Sequence, residues 1–107
     1  MRALATGATL SDEGLETMLT PATIGMSGNA EGRAYSLGME LVSPWIRKTF
    51  SFGGFGGTAA YLPSADLTLA VVTTLGPEID LDATPNPSTP IFTEIAASLG
   101  VPGPDGR

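Results

Sequence analysis

The most informative segment of this chain is Phe50-Ser51-Phe52-Gly53-Gly54-Phe55-Gly56-Gly57-Thr58-Ala59-Ala60-Tyr61-Leu62-Pro63. It predicts one strand over about residues 47–53 and a second over about 57–62, which ends at the proline because proline cannot donate to a sheet ladder. The apolar run over 67–74 predicts a third strand, covered on both faces. Short turns between the three strands indicate an antiparallel meander.

Glycine occupies four of the five positions from 53 to 57. Because glycine has no Cβ, another backbone or a ligand can approach such a segment closely. This leaves two interpretations: a close-packed strand pair without chemistry, or a strand edge that contacts a substrate. Gly54-x-Gly56-x-x-Ala59 also fits part of a dinucleotide fingerprint, but that motif must open a helix, and Tyr61-Leu62-Pro63 predicts a strand.

A further strand is predicted upstream of this meander. Tyr35, Leu37, Met39 and Leu41 alternate with the residues between them, and a period of two is typical of a strand with one face on a core. Proline at position 44 ends this strand, and we expect Trp45 in the turn that follows.

Helices are predicted at both ends of the chain. Residues 2–6 resemble a last helical turn closed by Gly7, and Ser11 caps a second helix. Near the C-terminus, Ser88 or Thr89 caps a helix that has Pro90 at its first position. Gly100 ends that helix. The apolar face expected to lie on the sheet consists of Ile91, Phe92, Ile95, Ala96 and Leu99.

The predicted fold class is therefore α+β: an antiparallel sheet of about four strands, with the N- and C-terminal helices packed on one face. We expect residues 1–99 to form the folded segment and 100–107 a flexible tail. Between them, Glu78, Asp80 and Asp82 alternate in a proline-rich connection. A solvated acidic loop is favoured over a calcium site, which would need more oxygen ligands and a glycine turn.

Composition excludes several classes of function. The 107 residues carry a formal net charge of −6, so we expect no nucleic-acid partner. Cysteine and histidine are both absent, which removes thiol nucleophiles, Ser-His-Asp triads and imidazole or thiolate metal sites. We expect no metal and no cofactor. No apolar run is long enough for a membrane span, and the N-terminus lacks the apolar core of a signal peptide, which leaves the cellular location open.

The order of several motifs resembles the C-terminal part of serine β-lactamase-like hydrolases, the family of class C β-lactamases, D-alanyl-D-alanine carboxypeptidases and related esterases. The matching segments are Met18-Leu19-Thr20-Pro21, Tyr35-Ser36-Leu37-Gly38-Met39, Phe52-Gly53-Gly54, and Tyr61-Leu62-Pro63 with the apolar run that follows. The resemblance implies acyl transfer to water through an acyl-serine, on a β-lactam, peptide or ester substrate.

By the same resemblance, Phe52, Gly53, Gly54 and Phe55 form the substrate-edge strand, and the N–H of Phe55 corresponds to an oxyanion-hole donor. Position 52 is phenylalanine where the family usually carries lysine or histidine, so it cannot bind a substrate carboxylate. The family's Ser-x-x-Lys and Tyr-x-Asn elements lie upstream of the matching region, and neither occurs here.

We therefore expect no catalytic residue in this chain and no hydrolysis by it alone. A substrate would bind only if the missing helical half were supplied. The alternative function is a non-catalytic binding or interaction module derived from such an enzyme. In the family the second sheet face contacts a helical region, so we expect an exposed apolar sheet surface here, through which the chain can self-associate.

Overall fold

The computed structural model describes residues 1–21, 23–27, 29–30, 32–78, 80 and 86–104. Within these ranges the helices are α1 (Arg2–Ala5), α2 (Asp12–Leu19) and α3 (Ser88–Ser98). The strands are β1 (Arg33–Tyr35), β2 (Glu40–Val42), β3 (Trp45–Phe52), β4 (Phe55–Leu62) and β5 (Leu67–Thr74). Neighbouring strands are antiparallel, in one open sheet of order β1-β2-β3-β4-β5. The α+β class is confirmed, with five strands where about four were expected.

The meander of β3, β4 and β5 is confirmed. The expectation that β5 is covered on both faces is wrong, because its even-numbered residues, Thr68 to Thr74, are exposed. Gly53 and Gly54 alone connect β3 to β4, and their φ values are 59° and 79°. Two consecutive positive φ values are what a tight hairpin turn of the favoured twist requires. A 3₁₀ turn at Pro63–Ala65, followed by Asp66 in the left-handed conformation, connects β4 to β5.

The alternating segment over 35–42 is a hairpin, so the expectation of one continuous strand is wrong. β1 ends at Tyr35, which pairs with Glu40 at the start of β2. The chain reverses between them, where Gly38 has a φ of 77° and the N–H of Ser36 donates to the carbonyl of Met39 at 2.8 Å. The alternation of apolar residues continues through this short turn, so the sequence pattern does not show that the chain reverses there.

Trp45 lies in the core and not in a turn, which corrects a second expectation. It begins β3 and is fully buried. Its ring meets the ring of Phe92 edge to face, with centroids 4.9 Å apart. Ala60, Leu62 and Ala96 complete this core cluster between the sheet and α3. A tryptophan needs this depth of packing because of its large apolar surface.

Helix α3 covers one face of the sheet, which we call the α3 face. Ser88 is the first residue of the helix, so the helix begins earlier than it would if Ser88 or Thr89 were its cap. The side chain of Asn86 accepts a hydrogen bond from the N–H of Ser88 at 3.0 Å. Only part of the expected apolar face is buried on the sheet. Phe92 and Ala96 are buried and Ile95 is half-buried, whereas Ile91 and Leu99 are exposed.

The N-terminal helices pack on the opposite face, so the expectation that both ends of the chain cover one face does not hold. Ala5 of α1 clusters with Ile46 and Tyr61, together with the half-buried Met18 of α2. Tyr61 lies between Ala60 and Leu62 in β4, and successive strand residues point to opposite faces. The sheet is therefore sandwiched, with α3 on one side and α1 and α2 over part of the other.

The residues that follow α3 contact the core. Val101 packs against the Trp45 cluster, and the indole N–H of Trp45 donates to the carbonyl of Pro102 at 2.8 Å. Residues 105–107, the end of the expected tail, lie outside the described residues. None of the described helices is long and apolar enough to cross a membrane.

Candidate functional site

The residues expected at the substrate edge lie at the tip of the β3–β4 hairpin. Phe52 and Phe55 face each other across the turn, and both rings are exposed, Phe52 to 70%. Residues that flank a two-residue turn form a hydrogen-bonded pair. The backbone N–H of Phe55 is therefore directed at the carbonyl of Phe52 within the ladder, and Gly53 and Gly54 form the turn.

Gly56 and Gly57 lie within β4 and make room for two neighbouring side chains. A Cβ on Gly56 would stand 2.8 Å from Oδ1 of Asn86, and a Cβ on Gly57 would collide with the ring of Phe50. The amide nitrogen of Asn86 donates to the carbonyl of Phe50 at 2.8 Å, which fixes the segment before α3 on the sheet. These two glycines are accounted for by internal packing.

A buried polar network continues from Asn86 into the core. The hydroxyl of Ser88 donates to Oδ1 of Asn86 and lies 2.7 Å from the hydroxyl of Thr58. Ser88 and Thr58 are both fully buried. Since every polar atom of the pair has a partner, the network stabilises the α3–β4 contact and exposes no reactive hydroxyl.

The outer side of β3 is the open backbone edge nearest to the hairpin tip. β2 pairs with β3 only through Trp45–Arg47, so among the described residues no strand covers positions 48–52. Hydrogen-bonded and non-hydrogen-bonded pairs alternate along a ladder, and Phe52 with Phe55 is the first hydrogen-bonded pair beside the turn. The backbone groups of Lys48, Phe50 and Phe52 therefore point to β4, while those of Thr49 and Ser51 point outward.

Charged and polar side chains lie beside this edge. The guanidinium of Arg47 contacts a carboxylate oxygen of Glu40 at 2.6 Å, and these side chains are only 5% and 13% exposed. Hydrogen bonding to Glu40, with some burial, raises the pKa of Tyr35. The ammonium group of Lys48, the chain's single lysine, lies 5.7 Å from the centre of the Tyr35 ring. The edge thus has a neutralised ion pair and one exposed cation next to it.

An exposed apolar surface covers the same end of the sheet on the face opposite α3. We call it the open patch, and it consists of the exposed Phe52, Phe55 and Val72 together with the half-buried Phe50. The rings of Phe50 and Phe52 are 5.4 Å apart, and Val72 is 64% exposed. The register places Gly57 between Phe50 and Val72, which brings the four side chains onto one surface. The expected exposed apolar sheet surface is present.

Sequence reasoning missed the outer edge of β3, because only the strand pairing reveals which backbone groups remain open.

The acidic positions Glu78 and Asp80 are exposed, and Asp82 lies outside the described residues. Within the described ranges, no three of the acidic side chains come together in a group that could hold a metal ion.

Comparison with known proteins found no family model, no curated protein and no solved structure that matches this chain.

Proposed function

We propose that this chain is the sheet half of a serine β-lactamase-like hydrolase, with the outer edge of β3 as its substrate-binding edge. The observation that carries the proposal is the open backbone at Thr49 and Ser51, beside Lys48 and at the rim of the open patch. The order of sequence motifs supplies the reaction class: acyl transfer to water on a β-lactam, peptide or ester.

The open edge suits an extended acyl substrate. Such a substrate can bind as an added strand, with main-chain hydrogen bonds providing affinity. The N–H groups of Thr49 and Ser51 are backbone donors positioned by the pairing of β3 with β4, and a positioned donor can stabilise the oxyanion that forms when a carbonyl is attacked. We assign this role to Ser51, which lies closer to the exposed ring of Phe52. An apolar acyl group would then contact that ring.

The nucleophile must come from another polypeptide segment. Ser-x-x-Lys is absent, and Lys48 is preceded three positions earlier by Trp45, which is fully buried. The open patch is the surface on which a helical segment carrying the activated serine would dock. Burial of apolar side chains such as Phe52 and Val72 would drive that association.

The test is reconstitution with the helical half of a related hydrolase. The chain alone should leave a chromogenic β-lactam and a p-nitrophenyl ester at background rates. The mixture should hydrolyse one of them and incorporate a fluorophosphonate on the serine of the helical half. Ser51→Pro, which removes the edge N–H, should abolish turnover, and Ser51→Ala, which keeps it, should not. Turnover that survives Ser51→Pro would contradict the assignment of the edge.

A binding module is the second candidate, favoured by the lack of any nucleophile. It would use the same edge to hold an extended peptide without cleaving it. Titration of the isolated chain with acylated peptides, followed by amide chemical shifts, distinguishes the two functions. Shifts centred on Thr49 and Ser51, with no product formed after reconstitution, would favour the module over the hydrolase.

A further inference from the structure

The second open edge of the sheet is β5, the last strand in the order. The N–H of Leu75 donates to the carbonyl of Gly54 at 2.7 Å, so odd-numbered positions of this segment direct their backbone groups to β4. The even-numbered residues direct theirs outward: Thr68, Ala70, Val72 and Thr74. Among the described residues, no strand pairs with these eight N–H and C=O groups.

An apolar stripe on α3 lies above this edge. α3 rests on β4 and β5, and it runs from the level of Thr58 toward that of Leu62. Because α3 is right-handed and runs in the same direction as β4, the residue just before each buried residue, Phe92 and Ala96, lies on the side of the helix toward β5. These residues are Ile91, which is exposed, and Ile95, which is half-buried.

We propose that β5 forms the interface of a two-fold homodimer, paired antiparallel with β5 of a second copy and centred on Val71 facing Val71. In this register Thr68 faces Thr74 of the second copy, and Ala70 faces its Val72. All of these are outward-directed residues, so every open backbone group of the strand gains a partner. The result is one continuous sheet in which Ile91 and Ile95 extend over the second copy's β5.

Charge favours a second copy as the occupant of this edge. The chain carries a formal net charge of −6, yet Leu67–Thr74 contains no charged residue, so two copies meet there without like-charge repulsion. Natural edge strands are usually protected from such pairing by charges, prolines or bulges, none of which interrupts β5. The opposite edge, β1, is three residues long and contains Arg33. Because a two-fold interface is closed, association through β5 stops at the dimer.

Sedimentation velocity over a concentration series tests the proposal. The chain of 10.9 kDa should sediment as a dimer. Val72→Pro removes an outward N–H, and proline is tolerated at such edge positions, so the monomer should stay folded. The dimer dissociation constant should rise at least about tenfold, because one hydrogen bond is lost in each of the two symmetric pairs of Ala70 with Val72. Val72→Thr, which keeps the N–H and the branched side chain, is the matched control.

If circular dichroism shows that Val72→Pro unfolds the chain, a second pair of variants tests the dimer instead. Ile91→Glu places a carboxylate at the interface, and Thr93→Glu places the same charge on the exposed far side of α3. Only Ile91→Glu should weaken the dimer. A chain that stays monomeric up to about 1 mM, or a dimer equally sensitive to both variants, would overturn the proposal.

Amide hydrogen exchange supplies a residue-resolved readout. The N–H groups of Thr68, Ala70, Val72 and Thr74 should become protected as concentration rises, whereas those of Leu69 and Val71 should be protected at all concentrations. The proposal would be overturned if the chain self-associated without protection of the even-numbered amides and if Phe52→Ser abolished that self-association. The contact would then lie at the open patch.

Discussion

At the residue scale, the glycines within β4 are matched to particular neighbours. The ring of Phe50 occupies the space that a side chain at Gly57 would need. Asn86 uses the corresponding space at Gly56 and links three parts of the chain through its amide, namely β3, β4 and the start of α3. Packing of this kind is intolerant of added volume, because neighbouring atoms have nowhere to move.

Gly57→Ala should destabilise the chain by about 1–3 kcal/mol through overpacking against Phe50. In the double variant Phe50→Ala with Gly57→Ala the ring is gone, so the added methyl should cost little beyond Phe50→Ala alone. Urea unfolding of the four proteins measures this coupling. Strictly additive changes would mean that the ring and the glycine do not share this space.

Asp66 joins α1 to the β4–β5 turn through two partners. Its carboxylate accepts from Arg2 at 2.7 Å and from the hydroxyl of Tyr61 at 2.7 Å. The hydrogen bond from Arg2 is the main cause that lowers the pKa of Asp66. A depressed folded-state pKa contributes stability above the unfolded-state pKa, and this contribution disappears as pH falls through the folded-state pKa.

Carboxyl titration by NMR should therefore find the pKa of Asp66 below that of an ordinary aspartate. Arg2→Gln should raise it toward the ordinary value, and the stability lost between neutral and acidic pH should shrink. Arg33→Gln, which removes an exposed arginine from β1, is the control. An unchanged pKa in Arg2→Gln would show that the pair does not form in solution.

At the element scale, the β3–β4 hairpin depends on its two turn glycines. Asparagine tolerates a positive φ much better than alanine, and Asn-Gly is a preferred pair for such turns. The strands on both sides pair with each other from Ile46 and Tyr61 down to Phe52 and Phe55, so the turn sets their register. A strained turn would loosen the hairpin tip that holds Ser51 and Phe52.

Gly53→Asn should consequently leave stability within about 0.5 kcal/mol of the parent, whereas Gly53→Ala should cost about 1–2 kcal/mol. Thermal and urea unfolding of the two variants measure the difference. Equal costs would indicate that the φ of 59° at this position is not retained in solution.

At the scale of the whole molecule, the sheet has one face covered along β4 and β5 by α3 and another left open beyond Ile46 and Tyr61. A patch of aromatic and branched side chains of this kind is typical of a surface that binds a partner or causes aggregation. The isolated chain should thus associate beyond the closed β5 dimer at high concentration, and the helical half of a related hydrolase should suppress this.

Phe52→Ser combined with Phe55→Ser should raise solubility and remove the higher oligomers, as measured by light scattering. Stability should change little, since both rings are exposed at the hairpin tip. The matched control is Val101→Ser, which removes a half-buried side chain of the Trp45 cluster and should lower stability without improving solubility. Higher oligomers that persist in the double variant would exclude the open patch as their cause.

The elements whose signals are local could be predicted from the sequence alone. The glycine segment marks the turn between β3 and β4, although β4 begins at Phe55 and not at about 57 as expected. Pro63 marks the end of β4, Ser11 caps α2, and the unbroken apolar run of β5 predicts a strand. Turn and cap residues act within a few positions of chain, so a reader of the sequence can find them. The α+β class follows from those elements.

Where these elements meet depends on tertiary contacts. The reversal at Gly38, the burial of Trp45 and the placement of α1 opposite α3 depend on contacts between residues far apart in the chain. The candidate site is of the same kind: the open groups at Thr49 and Ser51 exist because β2 stops pairing at Arg47. A backbone edge is defined by the absence of a neighbouring strand, and no pattern of side chains along the sequence records that.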